Sequence, residues 1–137
     1  MKKHIWIFLL LVGIFLAACQ SKSVSGETVN VTDGSYQNIT PDELNSLLEV
    51  KDFVLVNVHI PFAGNIAGTD LSIPYDRIEK NVSQLPADKD AKIVLYCRSG
   101  RMSQIAAEKL VSLGYTNVWE LKGGMVDWEQ AGYDIEN

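Results

Sequence analysis

Ile93-Val94-Leu95-Tyr96-Cys97-Arg98-Ser99-Gly100-Arg101-Met102-Ser103 is the stretch on which the fold turns. Ile93 to Tyr96 is apolar at every position, with no in–out alternation. That is the pattern of a strand covered on both faces, as in a parallel sheet. Cys97 to Met102 then forms a short loop containing one glycine. From Ser103 to Leu113 the pattern becomes helical, with Ile105, Ala106, Leu110 and Leu113 as the expected inner face and Gly114 as the stop. A strand, a glycine-bearing loop and a helix together make an anion cradle. Main-chain N–H groups converge there, and the helix N-terminus adds positive potential. A cysteine at its base is expected to favour the thiolate. One helix terminus contributes only about 0.3–1 kcal/mol, so several donors must act together.

Outward from this stretch the same alternation continues. Thr40-Pro41-Asp42-Glu43 is a helix start with a capping residue, a first-turn proline and the acid of a capping box. Leu44, Leu47 and Leu48 supply its apolar face. Phe53 to Val58 reads as a second buried strand. Asn65 to Pro74 looks irregular, with Ile73 in a short strand, and Tyr75 to Leu85 reads as a helix closed by Pro86. Val118 to Leu121 is a further strand, and Gly123-Gly124 turns into a last helix containing Met125, Val126 and Trp128. Strands alternating with helices imply an α/β fold: a central, mainly parallel sheet with helices on both faces. In such sheets ligands sit beyond the carboxyl ends of the strands, where Cys97 falls.

The N-terminus has a different character. Lys2 and Lys3 precede a fourteen-residue apolar run, Ile5 to Ala18. A membrane span needs about 20 residues, so the run fits a signal peptide better. Leu16-Ala17-Ala18-Cys19 resembles the bacterial lipobox, which implies cleavage before Cys19 and lipidation of its sulfur. The expected organisation is a signal peptide over residues 1–18, a flexible tether over 19–38 rich in Ser, Thr, Gly and Asn, and one folded domain over 39–137. The expected location is extracytoplasmic, lipid-anchored to a bacterial membrane. Removing residues 1–18 takes away two lysines and no acids, leaving 10 basic against 17 acidic residues, a net charge of −7. So acidic a domain is a poor nucleic-acid binder. No His/Cys cluster has metal-ligand spacing, and a monomer is expected. With Cys19 lipidated, Cys97 is the only remaining thiol.

Tyr96 to Ser103 resembles the active loop of the single-domain rhodaneses, which are thiosulfate sulfurtransferases. The resemblance extends over residues 40–137. Gly64-Asn65-Ile66-Ala67-Gly68-Thr69 is similar to the family's Gly-His-Ile-Pro-Gly-Ala; Ile73-Pro74, Gly114 to Val118 and Gly123-Gly124 to Trp128 match in order. The resemblance implies that Cys97 is the nucleophile and carries sulfur as a persulfide. It implies that Arg98, Ser99, Gly100, Arg101, Met102 and Ser103 form the substrate-binding loop. Their amides would hold the terminal sulfur, Arg98 and Arg101 would attract an anionic donor such as thiosulfate, and Ser103 would hydrogen-bond near the thiolate. A thiol or cyanide would be the acceptor, in a ping-pong cycle. No cofactor or metal is implied. Cysteine phosphatases place an arginine six positions after the cysteine; Ser103 stands there, so phosphate chemistry is disfavoured.

One region departs from the family. Where rhodaneses have Asp-Val-Arg and then a Glu before the glycine, this chain has Asn57-Val58-His59 and Pro61, and no Glu before Gly64. The family's charges are absent there. His59 reads foremost as a polar strand-end residue in place of a structural arginine, and secondarily as an accessory acid or base. Trp119 and Trp128 read as packing residues. The competing functional class is a non-catalytic rhodanese-like binding or thiol-sensing module, in which Cys97 would show ordinary reactivity, with an alkylation midpoint near ~8.5.

Overall fold

The computed structural model describes residues 23–137, so the expected signal peptide and Cys19 lie outside the described residues. Six strands form one sheet: β1 (Glu27–Val31), β2 (Gly34–Ile39), β3 (Val54–Asn57), β4 (Leu71–Ser72), β5 (Ile93–Tyr96) and β6 (Val118–Leu121). Their order is β1-β2-β6-β5-β3-β4. Every neighbouring pair is parallel except the β1–β2 hairpin. Three α-helices accompany them: α1 (Pro41–Glu49), α2 (Arg101–Ser112) and α3 (Gly124–Gln130). This is the rhodanese-like α/β architecture expected from the sequence.

Successive residues of β5 point to opposite faces, and each face has its own core. Ile93 and Leu95 pack with Ala106, Ala107 and Leu110 of α2. Val94 and Tyr96 pack with Leu44 of α1 and with Met125 and Trp128 of α3. All four β5 residues are fully buried, as a strand without alternation requires. The start of α1 follows its residue types: Thr40 Oγ accepts from the Glu43 N–H at 3.3 Å, and the Glu43 carboxylate accepts from the Thr40 N–H at 2.9 Å.

Three expectations need correction. First, the stretch read as a flexible tether is structured from Glu27 onward. Its small polar residues alternate with Val29, Val31 and Tyr36, a period-two pattern suited to a half-wet edge hairpin. Tyr36 is buried, and β2 pairs with β6 from Gln37 to Ile39. Second, Tyr75 to Leu85 is not an α-helix but two 3-10 turns, Tyr75–Arg77 and Glu79–Gln84. Asn81, inside the second, breaks from helical geometry at φ −112°, its side chain donating to the Arg77 carbonyl. That local bond competes with helical pairing. Third, the buried face of α2 is Ser103, Ala106, Ala107, Leu110 and Val111. Ile105 faces outward and Leu113 is only partly buried. The helix also begins two residues before Ser103, because Gly100 takes a left-handed φ of 101° that turns the chain directly into it.

Candidate active site

Cys97 is the first residue beyond β5, and its side chain turns towards α2. The residue is 2% exposed. The Gly100 N–H donates to its sulfur at 3.0 Å, and the Ser103 hydroxyl lies 3.4 Å from the same atom. A loop, a glycine in the left-handed region and the first turn of α2 therefore converge on one sulfur. The expectation was a fuller ring of main-chain donors from Arg98 to Ser103. At the sulfur itself the described hydrogen bonds are one amide and one hydroxyl, and the residue belongs to the α2-side apolar core.

The loop is held from the other side by α3. The Met125 N–H donates to the Cys97 carbonyl at 2.9 Å and the Val126 N–H to the Arg98 carbonyl at 3.0 Å. Gly124 makes this approach possible. A β-carbon on it would lie 2.3 Å from the Cys97 carbonyl oxygen and 2.7 Å from the Arg98 carbonyl group. The glycine pair at 123–124 is therefore part of the cysteine site, although 27 positions separate Gly124 from Cys97 in the chain.

Arg98, Ser99 and Arg101 are exposed at the rim, and neither arginine enters an ion pair among the described residues. Met102 is half-buried and packs against the α2-side core. His59 lies near enough to Arg98 to feel its charge. Burial, and then that charge, push the imidazole below its ordinary value, so it is neutral at neutral pH. No hydrogen bond joins His59 to the cysteine; its backbone N–H donates to Asn57 Oδ1 at 3.0 Å. Asn57 is the organising residue of this atypical segment. It is buried, and its Nδ2 donates to the Gly64 carbonyl at 2.9 Å and to Asn65 Oδ1 at 3.0 Å. A neutral amide thus closes the loop where the family uses charges. Tyr96 fastens the far end of the segment. Its hydroxyl accepts from the Ile66 N–H at 3.0 Å and lies 2.7 Å from Thr69 Oγ.

Glu120 was not among the expected site residues. It lies on β6, fully buried, and its Oε1 accepts from the Ser103 hydroxyl at 2.6 Å. Burial outweighs that hydrogen bond and the charge of Lys122, and pushes the carboxyl up from 4.5 to about 7. The sequence held one signal: an acid inside Val118-Trp119-Glu120-Leu121, an otherwise apolar strand.

A parallel-sheet fold with a thiol at a strand's carboxyl end, cradled by a glycine loop and a helix start, defines a class of cysteine-centred α/β domains. Residues 34–131 match the rhodanese-like domain, and the chain belongs to that family. It is 34% identical over 91 residues to a sulfurtransferase of Allochromatium vinosum, covering 65% of this chain and 83% of that protein. It is 33% identical over 102 residues to an adenylyltransferase and sulfurtransferase of Candida albicans, covering 66% of this chain and 23% of that one. Among solved structures, a thiosulfate sulfurtransferase from Pseudomonas aeruginosa superposes with a TM-score of 0.63 at 26% identity, over 73% of this chain and 20% of that chain. The chain therefore spans most of the first protein and about a fifth to a quarter of the other two.

Proposed function

We propose that this protein is a sulfurtransferase that carries sulfane sulfur as a persulfide on Cys97. The observation that carries the reading is the 3.0 Å bond from the Gly100 N–H to the Cys97 sulfur, at the base of a loop carrying two arginines that form no ion pair among the described residues. A donor amide aimed at sulfur stabilises the anion more than the neutral thiol, and the same bond serves the thiolate at each end of the cycle. Arg98 and Arg101 attract a dianion such as thiosulfate to the loop. The Cys97 thiolate attacks the outer sulfur of thiosulfate; an S–S bond forms, the thiosulfate S–S bond breaks, and sulfite leaves with the bonding pair. The persulfide anion is then discharged by cyanide or a thiol, which takes the outer sulfur and returns the thiolate. His59, neutral and unbonded to the sulfur, serves at most at the rim.

The test is thiocyanate formation by the purified full chain with thiosulfate and cyanide. Intact mass after thiosulfate alone should show one added sulfur, removed by cyanide. Cys97→Ser should abolish both. Activity retained in that variant would overturn the mechanism, and a wild-type Cys97 that takes up no sulfur would favour a binding or sensing module.

We further propose that the chain is an extracytoplasmic lipoprotein anchored through Cys19, and that it acts as a monomer. The support is the order of charge, apolar run, small residues and cysteine in residues 2–19.

A further inference from the structure

We propose that Glu120 is the proton partner of Cys97, acting through the Ser103 hydroxyl, so that thiol and carboxyl share one proton across that bridge. The inference rests on the sulfur-transfer reading of Cys97 and adds a positioning residue to it; Glu120 itself touches neither donor nor acceptor.

The geometry is a three-member chain in the α2-side core. The Cys97 sulfur, the Ser103 oxygen and Glu120 Oε1 follow one another at 3.4 and 2.6 Å. Cys97 is 2% exposed, and Ser103 and Glu120 are wholly buried. A carboxyl in that position would ordinarily be costly, because burying a charge without full pairing is unfavourable. No lysine, arginine or histidine forms an ion pair with it among the described residues. Its other oxygen, Oε2, has no hydrogen-bond partner among them. Among the described residues the one group that bonds to it is the hydroxyl that also faces the reactive sulfur. Burial raises the carboxyl to about 7, within reach of neutral pH.

The groups facing Glu120 leave this coupling undisturbed by a nearer charge. From β2 comes Tyr36, whose hydroxyl is pushed up by burial and then by Glu120 and Glu108. From β6's own end comes the Lys122 charge, a smaller influence than burial. From α2 comes Ser103, with Glu108 further along acting on Tyr36; from the end of β5 comes Cys97, across the Ser103 hydroxyl.

Proton placement follows from these distances. With Glu120 ionised, the Ser103 O–H donates to Oε1 and presents lone pairs to the sulfur. Cys97 must then be the donor, as a thiol. With Glu120 protonated, its O–H donates to Ser103 Oγ, and the Ser103 hydrogen is released towards the sulfur, now a thiolate. The Gly100 carbonyl at 3.0 Å is the hydroxyl's other acceptor. Passing between the two states breaks the S–H bond and the original Ser103 O–H bond. It forms a new Ser103 O–H and a Glu120 O–H. One negative charge is present throughout, and no outside base is needed. When the acceptor discharges the persulfide, the returning thiolate recovers the proton by the reverse path.

The test is the pH profile of Cys97 alkylation in the full chain, read on the Cys97 peptide by mass spectrometry so that Cys19 does not contribute. Groups coupled by more than about one pK unit titrate as a pair, in two macroscopic steps. Wild type should show such a broad profile. E120Q, which can donate to Ser103 but takes no proton, should show a single step and, one unit above the carboxyl's value of about 7, about tenfold faster alkylation near pH 8, equivalent to one pK unit. S103A should slow alkylation at neutral pH, and S103T should restore it. An E120Q profile superimposable on wild type would overturn the proposal. Should E120Q not fold, an S103A profile coincident with wild type would do the same. Persulfide formation on wild type, measured alongside, separates the two readings: no sulfur uptake with responsive profiles removes the transferase and leaves the shared proton standing. Sulfur uptake with unresponsive profiles removes the shared proton alone.

Discussion

Two single residues outside the cysteine loop support the groups that hold the cysteine. Gly124 has φ +57°, and a β-carbon there would meet the Cys97 carbonyl at 2.3 Å. The obstacle is backbone, so nothing flexible can give way. Gly124→Ala should lower stability by about 1–3 kcal/mol, and it should displace the Gly100 N–H from the sulfur. Chemical denaturation and the Cys97 alkylation rate report these separately; a fully active, fully stable variant would refute the contact's importance. Glu120 makes a different demand, through pH. Its folded-state value of about 7 stands above the ordinary 4.5, so the folded protein holds this proton more tightly than the unfolded chain does. The resulting stabilisation is fully present below pH 4.5 and is lost as pH rises to 7, and it amounts to at most about 3 kcal/mol. Comparing wild type with Glu120→Gln cancels the other titrations. Wild type should lose stability relative to the variant across that window, and the difference should then stay flat. Urea melts at several pH values check it, and a difference independent of pH would show that Glu120 does not titrate there.

At the scale of elements, legibility followed how local the cause was. The α1 start was readable because its capping box is complete within four residues. β5 and β6 were readable because a short apolar run bounded by turns has few alternatives. The β1–β2 hairpin was misread because its stability is not local. Its residues are mostly polar, and only pairing with β6 and the burial of Tyr36 beneath α2 make it part of the sheet. The hairpin covers the edge of β6, the strand that carries Glu120. Tyr36→Ala should therefore cost about 3 kcal/mol, as for large aromatic truncations in a core. It should also admit water beside the carboxyl. Thermal unfolding of the full chain measures the first effect; an unchanged melting temperature would mean the hairpin is an ornament to the fold. The 75–85 segment failed for the opposite reason, since one asparagine's bond to the Arg77 carbonyl outweighed an adequate helical pattern.

For the molecule as a whole, the proposed anchor and the folded domain are separable claims. Cells expressing wild type should incorporate labelled fatty acid into the protein and retain it with membranes, whereas Cys19→Ser should lose the label while its Cys97 chemistry persists. Label retained in that variant would remove the anchor from the account. A net charge of −7 once the proposed cleavage has removed residues 1–18 would leave Arg98 and Arg101 as local positive features on an acidic body, where salt should weaken attraction of an anionic donor. What the sequence determined alone was whatever depends on neighbours along the chain: the strand–loop–helix around Cys97, the parallel α/β class, and the membership in the rhodanese-like family that those motifs imply. Tertiary structure alone decided what depends on residues distant in the chain. It set Gly124 against the Cys97 carbonyl, joined Asn57 to Gly64 and Asn65 across the atypical loop, and brought Glu120 to the hydroxyl beside the sulfur. The physical reason is that burial and hydrogen-bond partnership are properties of packed surfaces. A glutamate two positions from a lysine reads as solvated until the sheet closes over it.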